Sequence, residues 1–273
     1  IAQRLLGASV RLEPLQGEYD LNFFASSDPQ SYILKVMRPD CEIEFVDMQI
    51  KAMKHLKVSD KLLPIPDIIP FKSGRLIEEE NDRLIWIQSR LEGGVLATLK
   101  EKPTALLEEL GSYMGRVDKS LGNFDHPQLR RSQKWNLLEG LWIYEHLDAI
   151  QNIKRKTLIK SICDQFSNVL SQMKALPFQA LHNDFNDYNI LIQAKESGHF
   201  SISGLIDFGD MASGPAINDL SIGGAYCLLH TIRPMTNFAA LVKGYHSTRP
   251  LSEEEIGLVY PLALMRLAIS VLN

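Results

Sequence analysis

The sequence is poor in several features that would assign a class at once. Only three of its 273 residues are cysteines, Cys41, Cys163 and Cys227. An odd, widely spaced set excludes a disulfide framework and a cysteine-rich zinc site, and suits reduced thiols in a cytoplasmic protein. No apolar run approaches the roughly 18 residues that a membrane helix takes. The nearest, 258–272, is interrupted by Pro261 and Arg266. Basic charge is not in excess either. With 29 Lys and Arg against 33 Asp and Glu, the formal net charge is −4, which offers no field for nucleic acid or an anionic membrane surface. The chain opens without Met or a signal-peptide pattern and stops inside an apolar helical pattern, so a fragment of a longer, fused polypeptide is an expectation.

What remains is ordinary globular material: 45% apolar, 23% charged, and long enough for one large or two modest domains. The first ninety residues read mostly as strands: 10–15, a turn over Gly17-Glu18-Tyr19-Asp20, 21–25, a turn at 26–30, and 32–37. A helix over 42–56 follows, with Phe45, Met48, Ala52, Met53 and Leu56 at helical spacing. A hairpin is expected from 68–72, a polar turn at 78–83, and 84–90. Glu92-Gly93-Gly94 is the best linker. Beyond it the pattern is helical: 104–121, 135–150, 156–176, 215–229, 236–245 and 252–271, the last opened by a capping-box sequence at Ser252-Glu253-Glu254-Glu255. The expected architecture is α+β and bilobal: a small antiparallel sheet lobe with one helix, 1–91, joined to a larger, mainly helical lobe, 92–273.

Two short strings carry the chemistry. His182-Asn183-Asp184-Phe185-Asn186-Asp187-Tyr188-Asn189 has the form His-x-Asp-x-x-x-x-Asn, and Asp207-Phe208-Gly209 follows it. In kinase-type phosphoryl transfer such strings supply a base for an acceptor hydroxyl, an amide ligand and a carboxylate ligand for Mg²⁺. The apolar runs 190–192 and 201–206 flank them as strands should. Asp184 is the candidate base; alone it would equally be a turn cap. Asn189 and Asp207 are the candidate Mg²⁺ ligands, hard oxygens of the kind that ion prefers. For Asn189 the plainer explanation is a loop-closing amide.

Lys35 lies on the apolar face of a strand with Ile33 and Met37, where it needs an anion such as a nucleotide phosphate; a solvated edge-strand lysine is the alternative. Asp47 and Glu44 on the next helix are candidates to hold it. Gly17 belongs to the one candidate loop over the phosphates, although an ordinary hairpin turn explains it nearly as well. Asp187 either meets a substrate ammonium or caps its turn. Asp210 is read as a supporting metal group, Asp219 as a helix N-terminal acid, and His182 as a loop support.

Together the two motifs resemble the aminoglycoside phosphotransferase and choline kinase superfamily, with its protein-kinase-like fold. Residues 17–23, Leu34-Lys35-Val36, Phe124-Asp125-His126-Pro127 and 131–136 are most similar to the hydroxylysine kinase branch, including bacterial relatives fused to an aminotransferase-like enzyme. That resemblance implies Asp184 as base, Asn189 and Asp207 on Mg²⁺, and Lys35 on the phosphates of ATP or GTP. It also implies Asp47 in the place of the usual helix glutamate, one methylene shorter. The family's usual Gly is Asn183 here, which a left-handed backbone position tolerates. Near the segment after Trp135 the branch carries Asp where this chain has Asn136, a position for substrate contact. The implied activity is phosphorylation of a small hydroxylated amine such as hydroxylysine. Aminoglycoside, choline or homoserine acceptors, or a nucleotide-binding pseudokinase domain, are the alternatives.

Overall fold

The computed structural model describes residues 10–15, 17, 19–27, 30–196 and 198–272. Strands β1 (Arg11–Leu15), β2 (Leu21–Ser27), β3 (Gln30–Val36), β4 (Ile77–Glu80) and β5 (Arg83–Ser89) form an antiparallel sheet in the order β1-β2-β3-β5-β4. Glu18 of the first turn, and Asp28 and Pro29 of the second, lie outside the described residues. Side chains alternate across this sheet as a pleat requires. Leu34, Ile85 and Ile87 bury one face with Ala25 and Phe71. Lys35, opposite Asn22 and Trp86 in the register, occupies the other. β3 is central, so Lys35 is no edge-strand lysine.

The hairpin differs from expectation. Residues 68–72 contribute only an isolated bridge from Ile68 to Gln88. The acidic run expected as a turn is edge strand β4, where exposed charge discourages further pairing. The turn itself is just Asn81 and Asp82, at φ of 50° and 58°, the left-handed pair that a tight two-residue hairpin demands.

Helix α1 (Ile43–Ser59) packs Met48, Ala52, Met53 and Leu56 into the main core. In the larger lobe, α2 (Thr104–Leu121) and α5 (Pro234–Thr248) pack most extensively. A Cβ on Gly244 would lie 1.9 Å from the Glu108 carbonyl oxygen, so only glycine permits this crossing. The segment expected as an α-helix over 135–150 winds instead as 3₁₀ turns across Leu137–Ala149. Its buried Leu137, Gly140 and Ile143 recur every third residue, the spacing of that winding. Helices α3 (Ile153–Ala175), α4 (Ile217–Cys227) and α6 (Glu253–Leu272) complete the lobe. α6 is long and apolar enough to cross a bilayer by composition, yet here it packs on α3, α4 and the 3₁₀ segment. Its capping box is formed on both sides: Glu255 N–H donates to Ser252 Oγ (3.1 Å), and Ser252 N–H donates to Glu255 Oε2 (2.9 Å).

Five short strands position the motifs. β7 (Phe178–Leu181) pairs with β10 (Ala212–Pro215), and β6 (Gly94–Val95) pairs with β8 (Ile190–Ala194), which pairs with β9 (Phe200–Leu205). The first motif bridges β7 and β8, and the second follows β9. Ile206 N–H donates to the Asn189 carbonyl at 2.9 Å and brings the two together.

Candidate active site

The first motif is a loop held from beneath. Asp219, at the start of α4, accepts from the backbone N–H of His182 (2.8 Å) and of Asn183 (2.6 Å). Asn183 sits at φ 63°, the left-handed conformation that asparagine tolerates better than most residues. Burial pushes the His182 imidazole down to about 4, so it is neutral at pH 7 and its Nδ1 accepts from Asp184 N–H (3.3 Å). Its ring lies 5.0 Å from Phe185 and 4.8 Å from Phe208, which ties the two motifs by apolar contact.

Asp184 is fixed on both oxygens. Oδ1 accepts from Arg266 Nη2 at 2.7 Å. Oδ2 accepts from Asn186 Nδ2 (2.8 Å) and Asn189 Nδ2 (2.6 Å). A group that close to a carboxylate is the amide nitrogen, so the Asn189 oxygen is the atom left for a cation. Burial raises the Asp184 pKa, with Arg266 opposing it.

Asp207 also stands at φ 63°, a strained position for a residue that is not glycine and one that turns its carboxylate into the cleft. Its Oδ1 meets Lys35 Nζ at 3.4 Å and Gly209 N–H at 3.3 Å. The Lys35 ammonium holds the acid below the usual carboxylate range. Behind it, Arg131 donates to the carbonyls of Gly209 (2.6 Å) and Met211 (2.7 Å), and Gln133 donates to that of Asp210 (3.0 Å).

Two adjoining cavities meet here. One, of about 820 Å³, lies between Ile33, Gln88, Leu91, Leu191 and Ile206 under the sheet. The other, of about 460 Å³, is bounded by Phe45, Arg131, Trp135, Asp184 and Asp210. Gly17, Asn22, Lys35 and Asp207 line both. A Cβ on Gly17 would sit 2.5 Å from the Asp20 carbonyl oxygen and 2.6 Å from Asn22 Nδ2, so the turn over the junction closes only with glycine.

Residues 11–251 match the family described as the phosphotransferase enzyme family. The chain belongs to that family. It is a small-molecule kinase, a phosphotransferase acting on an alcohol group. Among its relatives is the hydroxylysine kinase of Danio rerio, 26% identical over 97% of this chain and 79% of the relative. Another is the homoserine kinase of Zymomonas mobilis subsp. mobilis, 25% identical over 88% and 72%. Among solved structures, a microcompartment-associated aminopropanol kinase superposes with a TM-score of 0.77 at 16% identity, covering 99% of this chain and 86% of that one.

Within this phosphotransferase three expected contacts are replaced. Asp47 is not the partner of Lys35: it engages Lys51 (2.6 Å) and His126 Nε2 (3.2 Å), and Lys35 takes Asp207 instead. Glu44 is exposed. Asp187 does not line the smaller cavity. It pairs at 3.3 Å with Lys102, a lysine only 7% exposed that needs a counter-ion. Asn136 is turned away as well. Its Oδ1 accepts from Leu138 N–H (3.0 Å) and caps the 3₁₀ segment; its neighbour Trp135 lines the cavity. Asp210 is more than a supporting acid, since it lines the cavity beside Asp184 and Asp207. Burial, then those two carboxylates, push it up to about 7. Sequence reasoning missed Arg266 and Lys102. The signal for Arg266 was there: a lone cation in an apolar helix requires a buried anion.

Proposed function

We propose that this enzyme transfers the γ-phosphoryl group of ATP or GTP to a hydroxyl of an amino alcohol or hydroxylated amino acid, hydroxylysine being the first acceptor to test. One observation carries the reading: a nucleotide-sized cavity and a smaller one share Lys35 and Asp207 at their junction, and Asp184 lines only the smaller. Donor and acceptor then approach from opposite sides of one phosphorus atom, as in-line transfer requires. A space of about 460 Å³ suits a small molecule rather than a protein segment. Asp184 and Asp210 on its walls suit an ammonium group, and Arg38 and Lys134 on the same walls suit a carboxylate, the two charges of a hydroxylated amino acid. The relatives named for hydroxylysine and homoserine, and the structural neighbour named for aminopropanol, support a hydroxylated amine.

The donor set fits a divalent cation. Among the described residues no group of three His, Cys, Asp or Glu forms a metal site. The Asn189 amide oxygen and the Asp207 carboxylate are a partial set of hard donors, the kind that Mg²⁺ completes with substrate phosphates. Bound there, Mg²⁺ neutralises phosphate charge in the transition state. Lys35 binds the phosphates from β3. Asp184 accepts a hydrogen bond from the acceptor hydroxyl and takes its proton. The hydroxyl oxygen bonds to the γ-phosphorus, the bond to the β-phosphate bridging oxygen breaks, and the nucleoside diphosphate departs.

The test is turnover with Mg²⁺ and ATP or GTP across hydroxylysine, homoserine, aminopropanol, choline and an aminoglycoside, with product mass as the readout and Asp184→Ala as the control. Hydroxylysine is expected to give the highest kcat/KM. If no acceptor exceeds the control, a nucleotide-binding module replaces this reading.

A further inference from the structure

We propose that Arg266 is a positioning residue of the phosphoryl transfer, holding Asp184 aimed at the acceptor and Trp135 in the wall beside it. The inference rests on the kinase reading above. Arg266 is on α6, in a stretch where Leu262, Ala263, Met265, Ala268 and Ile269 are all buried. Its own side chain is 2% exposed, so it does not touch substrate and acts only through its neighbours. One guanidinium carries both contacts: Nη2 donates to Asp184 Oδ1 (2.7 Å) and Nη1 to the Trp135 carbonyl (3.3 Å). Its carbon stands 4.3 Å from the centre of the Trp135 ring.

Why this is more than a core ion pair follows from the geometry. Asn186 and Asn189 already hold the second oxygen of Asp184, so Arg266 is what stops the carboxylate pivoting about that edge. Asp184 and Trp135 both line the acceptor cavity, and a single planar fork sets the distance between the aligning acid and the aromatic wall. Lysine, a compact point charge, cannot make the two bonds and the stacking contact at once. The other buried residues of this stretch of α6 are aliphatic or methionine, so packing alone does not call for arginine; the cation answers the Asp184 carboxylate, which its removal would strand.

The experiment uses the full chain with the best acceptor. For Arg266→Met, kcat is expected to fall roughly 10- to 100-fold, the worth of one charge-assisted hydrogen bond, while the nucleotide KM stays within about twofold. Arg266→Lys should lose roughly fivefold or more. In Arg266→Ala, added guanidinium ion should restore several-fold activity that sodium chloride at equal ionic strength does not. A kcat for Arg266→Met within about twofold of wild type overturns the proposal. So does a loss that matches the unfolded fraction by circular dichroism and resists guanidinium. Should the methionine variant not fold, Arg266→Lys decides: activity within about twofold of wild type overturns the positioning role. A wild type with no Asp184-dependent turnover on any acceptor would overturn the kinase reading and this inference together. Wild-type turnover that the variants match overturns the role of Arg266 alone.

Discussion

Lys35 and Asp207 stand 172 residues apart in sequence and 3.4 Å apart across the cleft. The lysine comes from the central strand of the five-stranded sheet, and the acid from the loop after β9 in the other lobe. Each is the other's counter-ion until phosphates and a cation separate them. With Lys35 on the nucleotide phosphates as proposed, Lys35→Met removes that contact and frees Asp207 from the charge that lowers its pKa. The nucleotide KM should rise roughly tenfold or more, read by steady-state kinetics at saturating acceptor.

Asp184→Asn keeps the shape of the side chain but removes the proton acceptor, and turns an amide nitrogen toward either Arg266 or the two asparagine donors. A fall in kcat of about 10²- to 10⁴-fold is expected. Nucleotide affinity, measured by calorimetry, should change little, because Asp184 does not line the larger cavity. A variant that loses nucleotide affinity in the same proportion would place Asp184 in structural support instead.

Asp187→Asn leaves the buried Lys102 ammonium without its counter-ion. Breaking such a pair from one side costs about 3–5 kcal/mol, which urea denaturation would read directly. The double variant with Lys102→Met should recover much of the loss, since neither charge is then stranded. Acceptor KM is expected to hold in any variant that folds, because Asp187 lies outside the acceptor-side cavity.

Below the catalytic loop two acids are buried against each other. Asp118 accepts from the Tyr245 hydroxyl, and burial, then the charge of Asp219, raise its pKa well above the ordinary value. Asp219 is raised too, by burial first. A carboxyl whose folded pKa is raised binds its proton more tightly in the native state. Its stabilising share is complete below the unfolded pKa near 4 and is lost as pH rises toward the folded value. Asp118→Asn mimics the protonated form, so its advantage over wild type in melting temperature should grow from pH 5 to pH 8. An advantage that is flat with pH would mean that the pair holds no shared proton.

Local pattern made much of this legible. The stripe of Leu106, Leu107, Leu110, Met114 and Val117 marks α2 at the boundaries observed, and the Ser252–Glu255 capping box opens α6 as its spacing requires. The two motif strings identified Asp184, Asn189 and Asp207, which the fold gathers at one cleft. Periodicity failed at 137–149, where an apolar segment reads alike for α and 3₁₀ winding. It failed at Glu78–Glu80 too, where charge imitates a turn but serves an edge strand.

Linear order alone determined the two lobes, the strand that carries Lys35 and the loops that carry the oxygen donors, because these depend on side-chain periodicity and on short-range turn chemistry. Tertiary structure alone decided which charges meet. Asp47 went to His126, Asp187 to Lys102, and Arg266 to Asp184. Each pairing follows from how far a group is taken from water and which opposite charge is then within reach. Those distances are set by packing between segments far apart in the chain, and no local pattern contains them.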